Sequence, residues 1–187
     1  MELIKIIQKY EPWNEEEKKD QKIFLKYLRQ FPDILTRENE FAHVTSSSWI
    51  VNQDRTKVLM VYHNIYDSWS WTGGHADGEG DVLHVAMKEA KEETGIQTLV
   101  PVKEALFSLE LICVHGHWKR GAYVSPHIHL NTTFLLEAKE GEILRIKPDE
   151  NSQVAWIPIE QAVEISNEPW MKVIYQKLNQ KLGEKQW

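Results

Sequence analysis

The chain has 187 residues, of which 42% are hydrophobic and 27% charged, and its formal net charge is −6. These values fit one globular domain with room for an extension, and the acidic balance argues against a surface for duplex nucleic acid, which needs a basic face. A small anionic substrate is still open, because a bound cation can reverse the local field.

The N-terminal segment predicts helices rather than a targeting sequence. Residues 1–13 alternate in charge and lack a long apolar region, so we expect no signal peptide. Asn14 is placed to cap a helix over residues 14–31, and Glu17 three positions later completes a capping-box-like start. Residues 2–9 predict a shorter helix. The apolar stripe of the longer helix consists of Ile23, Phe24, Tyr27, Leu28 and Phe31.

These two helices make residues 1–41 a helical extension of the main domain. We expect their apolar side chains to pack against that domain, and a homodimer contact or a substrate lid are the alternatives. No apolar stretch approaches the roughly 20 residues that a membrane-spanning helix needs, so no membrane contact is expected.

From residue 42 onward the pattern predicts strands mixed with helices. Residues 43–52 and 57–64 predict a hairpin, and Gly95 ends a helix over residues 81–94. The further elements are an extended piece over 68–74, long strands over 102–116 and 127–139, a strand over 153–159, a short helix over 159–166 and a final helix over 168–181 with Trp170, Val173, Ile174 and Leu178 on one side. This irregular order favours an α/β (α+β) fold in which a compact mixed sheet carries helices on both faces.

Cys113 is the only cysteine of the chain. A disulfide framework or a zinc ribbon within one chain is therefore excluded, and a cytoplasmic location fits. Since Cys113 lies in an apolar predicted strand, we expect it to be buried as a small hydrophobic residue.

The helix over residues 81–94 separates its side chains into three sectors. One sector, expected to face the sheet, holds Leu83, Ala86, Met87 and Ala90, and a second, facing water, holds His84, Lys88 and Lys91. Glu89, Glu92 and Glu93 share the third, where like charges at this spacing repel each other. A solvated helix face is one interpretation. The other is an open site for a hard cation such as Mg²⁺, completed by the exposed carbonyl of Gly74.

Residues 74–96 resemble the Nudix box, the signature of the Nudix hydrolases, written G-x5-E-x7-R-E-U-x-E-E-x-G-U with U aliphatic. The matching positions, in order, are Gly74, Glu89, Ala90, Glu92, Glu93, Gly95 and Ile96. Three positions depart from the pattern: Gly80 replaces the first glutamate, Lys88 the arginine and Thr72 the usual preceding proline. Glu79 and Asp81 flank Gly80 and are the candidates to substitute for the lost glutamate.

The resemblance implies a Nudix-like α/β/α sandwich with a mixed β-sheet over residues 42–187. It also implies a hydrolase that cleaves a diphosphate linkage, in a nucleoside diphosphate derivative or a similar nucleotide-like small metabolite, with Mg²⁺ or Mn²⁺. Carried over by position, Glu89, Glu92 and Glu93 are the catalytic metal ligands, and the Gly74 carbonyl is a further ligand.

The general base is one of these glutamates or a loop carboxylate, for which Asp149 and Glu150 are candidates. Lys88 keeps the positive charge of the box arginine but cannot form bidentate hydrogen bonds as a guanidinium does. The glutamate lost at Gly80 motivates an alternative function, a non-catalytic Nudix-like module that binds or senses a nucleotide. Hydrolysis of RNA 5′ ends is a third hypothesis, against which the acidic charge argues.

Three residues near the glycine turn are candidates for substrate binding: Trp69, Trp71 and His75. The two tryptophans alternate along the chain and so share one side, where they either stack on a base or pack in the core. His75 follows Gly74 and either contacts a substrate phosphate or stabilises the turn.

Two pairs of histidines are spaced so that each pair faces one side of a strand. They are His115 with His117 and His127 with His129. Paired histidines on adjacent strands are a candidate zinc site, but the sequence offers no obvious third ligand type. Contact with solvent or with a cleft is the alternative.

Overall fold

The computed structural model describes residues 2–119 and 121–184 of the chain. Within these residues the elements in chain order are α1 (Glu2–Lys9), α2 (Glu15–Gln30), β1 (Ala42–Asn52), β2 (Lys57–His63), β3 (Ser68–Ser70), β4 (Thr72–His75), α3 (Val82–Thr94), β5 (Leu99–Pro101), β6 (Ser108–Val114), β7 (His117–Lys119), β8 (Ala122–Val124), β9 (His127–Ala138), β10 (Asn151–Pro158) and α4 (Pro169–Glu184).

The strands form one large mixed sheet and one small antiparallel pair. The order of the large sheet is β10-β2-β1-β9-β5, and β3, β4 and β6 pair with β2, β1 and β9 respectively. β1 and β9 run parallel along their whole length, from the pair Ala42 and Ile128 to the pair Asn52 and Ala138, whereas the other pairs of this sheet are antiparallel. β7 and β8 make the separate pair. The expected mixed sheet is confirmed.

Every residue of the central strand β1 is buried, because helices cover both faces of the sheet. Ile50 belongs to one apolar cluster, which also contains side chains of α1, α2 and α3. Its neighbours Trp49 and Val51 point the other way into a second cluster, which contains side chains of α4. The expected α/β/α sandwich is confirmed.

The helix predicted over residues 14–31 is observed as α2, and its predicted cap is confirmed. Asn14 Oδ1 accepts a hydrogen bond from the Glu17 amide at 2.9 Å. The predicted stripe is only partly buried, because Phe24 and Leu28 lie in the core whereas Ile23 and Phe31 are exposed. The division of the chain into 1–41 and 42–187 stays a prediction.

Glu17 is completely buried, although a capping residue usually faces water. Its carboxylate pairs with Lys177 at 3.1 Å and Lys181 at 2.8 Å, and it accepts a hydrogen bond from the Tyr10 hydroxyl at 2.5 Å. Burial opposes ionisation, but the two ammonium groups outweigh it and lower the pKa of Glu17 to about 2. This network fastens α2 to α4.

Several sequence predictions are wrong in detail. The strand expected over 102–116 is interrupted by an exposed loop that contains Lys103 and Glu104, and only its second half, β6, is a long strand. Residues 159–166 form hydrogen-bonded turns in place of a helix, since their backbone bonds, such as Gln161 N–H to Pro158 O, do not continue into a regular ladder. No helix of the described residues is long and apolar enough to cross a membrane.

The buried side of α4 is also different from the predicted one. Its buried apolar residues are Met171, Ile174, Tyr175 and Leu178, whereas Trp170 and Val173 are exposed. The helical stripe therefore starts at Met171, one residue after the predicted start. Cys113 is exposed, which contradicts its expected burial, and it belongs to neither apolar cluster.

Candidate active site

Helix α3 is held against the sheet by two serines of β1. The Ser46 hydroxyl donates to Val82 O at 2.7 Å, and the Ser48 hydroxyl donates to Ala86 O at 3.1 Å. Because serine is small, the first two turns of the helix approach the strand closely enough for these bonds. The docking of α3 thus explains Ser46 and Ser48 of this buried strand, whereas Ser47 donates to Asn131 Oδ1 of β9.

Both ends of α3 are capped, and the cap at Gly95 is the predicted one. Asp81 is the N-cap and its Oδ1 accepts from the His84 amide at 3.0 Å. Gly95 is the C-cap, with a φ of 76° that favours glycine, and its amide donates to Lys91 O. The predicted end of the helix is confirmed.

The buried side of α3 differs from the predicted sectors. Val82, Val85, Ala86 and Ala90 are buried, and so is the predicted metal ligand Glu93. Leu83 and Met87, expected at the centre of the buried face, are only partly buried and lie at the edge of the first apolar cluster. The helix is therefore rotated so that its glutamate sector faces the protein, with Glu93 deepest.

The glycine pair of β4 packs directly against these glutamates. The Gly73 amide donates to Glu93 Oε1 at 3.3 Å. A Cβ atom at Gly74 would lie 2.5 Å from the carboxyl carbon of Glu89, so a side chain at this position would displace that carboxylate. The absence of a side chain at Gly74 thus allows the backbone of β4 to lie this close to Glu89 of α3.

Glu89, Glu93 and Glu150 form an acidic cluster. One carboxylate oxygen from each lies within 4.8 Å of the others. Glu150 immediately precedes β10 and was one of the two loop candidates for a general base; the other, Asp149, lines the same cleft. Oxygen ligands of this kind suit a hard divalent cation, so the donor set fits Mg²⁺ or Mn²⁺.

Glu92 takes a different position from the other two box glutamates. Its side chain is 42% exposed, and it pairs with Lys147 at 3.2 Å and with Lys88 at 3.6 Å. Lys88 also approaches Glu89 at 3.5 Å. Lys88, which replaces the box arginine, therefore still contacts the box glutamates, but its ammonium group cannot form the bidentate hydrogen bonds of a guanidinium.

The electrostatics of the acidic cluster favour a bound cation. Burial raises the pKa of Glu93 well above its ordinary value, and it also raises the pKa of Glu89. Among the described residues no lysine or arginine forms an ion pair with Glu93. A divalent ion would supply the missing positive charge and favour the ionised form of both carboxylates.

The two acidic residues that flank Gly80 belong to the start of α3 and not to the cluster. Glu79 Oε1 accepts from the Asp81 amide at 2.8 Å, while Asp81 caps the helix. Neither residue lines the cleft that contains the cluster. A Cβ atom at Gly80 would meet no atom within 4 Å, so the loss of the glutamate there leaves space beside the helix start.

The acidic cluster lies in a cleft of about 690 Å³, a volume typical of a small-molecule site. Trp71 and His75 line this cleft, but Trp69 does not. Trp69 lies edge-on to Tyr62, with ring centroids 5.7 Å apart. Both tryptophans pack against the second apolar cluster, so the core-packing alternative holds for them, and Trp71 in addition borders the cleft.

A second group of side chains in the same cleft consists of histidines. His127 and His129 face the same side of β9, as predicted, and their Nε2 atoms are 3.1 Å apart. His115 and His117 do not share a strand, because β6 ends before His115 and β7 begins at His117.

The partners of His127 and His129 are instead His43 and His75, from β1 and β4. These two residues are far from β9 in the sequence, and only the strand pairing brings them together. Sequence spacing therefore missed them, although the sequence places His43 at the start of a predicted strand and His75 directly after the glycine pair.

The N-terminal segment closes one side of the cleft. Arg37 binds Asp77 with two parallel hydrogen bonds of 2.8 Å, and both residues line the cleft. The Gly78 amide donates to Leu35 O at 2.9 Å. The loop between the glycine pair and α3 is thus held by residues that precede β1.

The fold has solved relatives. The MutT protein from Methanosarcina mazei Go1 superposes with a TM-score of 0.60 at 14% identity, covering 79% of this chain and 99% of that one. A C. elegans Ap4A hydrolase binary complex gives 0.55 at 18% identity, with 76% and 98% covered. The E. coli dihydroneopterin triphosphate pyrophosphohydrolase gives 0.53 at 19% identity, with 73% and 92% covered. At these identities the likeness shows the fold.

Sequence comparison identifies the family. No curated protein matches the chain in sequence. Residues 42–178, which make up most of the chain, match the family model of the NUDIX domain. The chain therefore belongs to the Nudix hydrolase family.

Proposed function

We propose that the protein is a Mg²⁺- or Mn²⁺-dependent hydrolase that cleaves a diphosphate linkage in a nucleoside diphosphate derivative or a similar small metabolite. The observation that carries this proposal is the convergence of Glu89, Glu93 and Glu150 within 4.8 Å beside Gly74. Two of these residues occupy metal-binding positions of the Nudix box, and the third comes from a loop far along the chain. Such convergence is not expected of a merely solvated helix face.

In this proposal Glu89, Glu93 and Glu150 hold the cation, and the Gly74 carbonyl is the predicted further ligand. A divalent ion supplies neutralising charge for the phosphoryl oxygens and lowers the pKa of water. Glu92 stays a predicted ligand. Its carboxylate is exposed and lines the same cleft, and its ion pairs with Lys88 and Lys147 are weak enough to be replaced by a bound cation.

One carboxylate of the cluster serves as the general base. Glu89 is the candidate, because its carboxylate borders the cleft in which the substrate would bind. Its side chain is still 13% exposed, towards the cleft, so a proton acceptor is accessible there. Lys88 and Lys147 lie beside the cluster and balance the charge of a phosphate-bearing substrate.

The remainder of the cleft receives the group attached to the diphosphate. Trp71 and His75 line it and are the proposed substrate contacts, whereas the packing of Trp69 on Tyr62 does not favour a direct contact. Two relatives are named for substrates that differ in kind, Ap4A and dihydroneopterin triphosphate, so a panel of substrates should include dinucleoside polyphosphates and pterin phosphates as well as nucleoside diphosphate sugars.

The proposal is tested by turnover of such a panel with Mg²⁺ and with Mn²⁺. We expect at least one compound to yield two phosphate-containing products, and we expect Glu93→Gln to abolish the reaction. The matched control is Glu164→Gln, the same change at a side chain that is 82% exposed and pairs only with Lys172 among the described ion pairs. Turnover that is equal in wild type and Glu93→Gln would contradict the proposal.

A nucleotide-binding module without turnover is the second candidate, and the absence of a glutamate at Gly80 favours it. The two candidates differ in one measurement. A binding module is stabilised against unfolding by a nucleotide in EDTA or Ca²⁺ and forms no product in Mg²⁺. A hydrolase forms product as soon as Mg²⁺ is present.

A further inference from the structure

The histidine group is built by the register of three strands. The parallel pairing of β1 with β9 sets His43 directly opposite His129, and their ring centroids are 5.1 Å apart. The antiparallel pairing of β1 with β4 adds His75, whose ring lies 5.0 Å from each of those two rings. The ring of His127, two residues before His129, lies 4.8 Å from that of His43, centroid to centroid. The proposed hydrolysis assigns no role to this group as a whole.

The hydrogen bonds of His43 fix which ring nitrogen carries a lone pair. Its Nδ1 lies 3.0 Å from Asn39 O, so Nδ1 carries the proton and donates it to the carbonyl. The Nε2 atom is then an acceptor, and it is buried with no hydrogen-bond partner within the described residues. A buried polar atom without a partner is costly and demands an explanation.

His127 repeats this arrangement. Its Nδ1 lies 2.8 Å from Ser125 O, which leaves Nε2 with the lone pair. Histidines that bind metals commonly donate their other N–H to a backbone carbonyl in this way, because the bond fixes the tautomer and the orientation of the ring. Two of the four histidines are therefore oriented by the backbone as metal ligands are.

The distances among the nitrogens agree with one metal ion. One ring nitrogen from each of His43, His75 and His129 lies within 4.8 Å of the others. The Nε2 atoms of His127 and His129 are 3.1 Å apart. Two nitrogens bound to one tetrahedral Zn²⁺ at about 2.0 to 2.1 Å are separated by roughly 3.3 Å, which is close to the separation of the His127 and His129 nitrogens.

The charge state favours a metal over an anion. Burial lowers the pKa of His129 well below its ordinary value, and it also lowers that of His43. These two imidazoles are therefore neutral at pH 7, which is the form that binds metals. The cationic form, which attracts a phosphate more strongly, is disfavoured at these two positions.

We propose that His43, His75 and His129, with His127 as the adjoining fourth ligand, bind a divalent first-row transition metal ion such as Zn²⁺. Imidazole nitrogen suits Zn²⁺, Ni²⁺ and Cu²⁺, whereas the carboxylates of the acidic cluster suit Mg²⁺ and Mn²⁺. The cleft would then hold two different kinds of cation, selected by ligand chemistry. This site goes beyond the proposed hydrolysis and does not depend on it.

The test uses the full chain, stripped of metals with a chelator and then saturated with Mg²⁺ to occupy the acidic cluster. Zn²⁺ binding is followed by calorimetry, and Co²⁺ binding by its visible absorption, which is intense only in tetrahedral coordination. We expect one ion per chain, and a loss of affinity of about 100-fold in His43→Ala and His129→Ala. The matched control is His84→Ala, on the exposed side of α3, which should leave affinity unchanged.

X-ray absorption of the Zn²⁺-loaded wild type gives a second readout that needs no variant. Nitrogen ligands with the scattering pattern of imidazole rings are expected. Oxygen-only ligands, a sulfur ligand from Cys113, or binding that Mg²⁺ abolishes would each overturn the proposal. If the buried variants fail to fold by circular dichroism, His75→Ala, at a half-buried position, replaces them with the same expectation.

Discussion

Glu17 and Glu93 are both buried glutamates on helices, yet their surroundings are opposite. Glu17 pairs with Lys177 and Lys181, and their positive charge outweighs the cost of burial so that its pKa falls to about 2. Glu93 accepts one amide hydrogen bond, from Gly73, and burial raises its pKa well above the ordinary value. A buried carboxylate supplied with its own cation stabilises the fold. One without such a cation is available to bind an ion from solution.

The largest expected effect is that of Glu93→Gln, which should lower turnover without lowering the stability of the metal-free protein. Glu93→Gln removes a metal ligand, and we expect turnover to fall about 1000-fold or more, comparable to the loss of several kcal/mol of transition-state stabilisation. In EDTA the same variant should unfold at an equal or higher denaturant concentration than wild type, because a buried charge has been removed. A lower midpoint would show that the Glu93 carboxylate stabilises the metal-free fold, and this would contradict the difference described between Glu93 and Glu17.

Glu17→Gln should show the opposite behaviour. Glu17→Gln removes one of the two carboxylates that pair with Lys177 and the carboxylate that pairs with the buried Lys181, and the free energy of unfolding should fall by about 3 kcal/mol. Turnover per folded molecule should stay within about twofold of wild type, because the network lies between α2 and α4, outside the cleft. Urea denaturation at pH 7 and active-site titration measure the two quantities, and Glu16→Gln, at an exposed neighbouring position, is the control.

The stability difference between wild type and Glu17→Gln should depend on pH with a definite sign. The folded-state pKa of Glu17 is lowered from 4.5 to about 2, so the contribution of its carboxylate is complete above pH 4.5 and is lost as the pH falls towards 2. We expect the difference to shrink by about 1.4 kcal/mol per pH unit in that window. A difference that is constant between pH 7 and pH 3 would show that the ion pairs do not cause it.

Mg²⁺ should stabilise wild type and Glu17→Gln but not Glu93→Gln. At 100 times its dissociation constant, a ligand that binds only the folded state adds about 2.7 kcal/mol to the free energy of unfolding. The pKa of Glu93 is raised, so protons compete with the ion, and the stabilisation should increase as the pH rises. Thermal unfolding at several pH values with and without Mg²⁺ measures this. Equal stabilisation of all three proteins would place the ion elsewhere.

The smallest expected effect is on the turnover of alanine variants of two glycines, Gly74 and Gly80, which lie on either side of the same loop. Gly74→Ala would place a Cβ atom 2.5 Å from the Glu89 carboxyl carbon, and displacement of that ligand should lower turnover about 10- to 100-fold. Gly80→Ala meets no atom within 4 Å and should leave turnover unchanged. Kinetics of both variants at saturating Mg²⁺ test whether Glu89 is held in a required position. Equal rates would mean that it is not.

The local features of the molecule were predictable from the sequence. The caps Asn14 and Gly95 act within one helical turn, so residue type and spacing suffice to identify them. The glycine pair and the glutamates of α3 belong to one short segment for the same reason. The mixed sheet followed from the order of strand and helix patterns.

What the sequence did not indicate depends on contacts between distant segments. Glu150 joins Glu89 and Glu93 because β10 lies at the edge of the sheet beside the end of α3, where Asn151 donates to Glu93 O at 3.0 Å. His43 meets His129 through the parallel register of β1 and β9, which no local pattern specifies. The burial of Glu17 likewise requires lysines from the other end of the chain.

The exposure of Cys113 has a practical consequence. This thiol is solvent-accessible, borders the cleft, and has no other cysteine in the chain to compete with it. A maleimide fluorophore attached there needs no engineered mutation, and its emission would change as ligands enter beside it. The unmodified protein therefore offers its own reporter position for following occupancy of the cleft in real time.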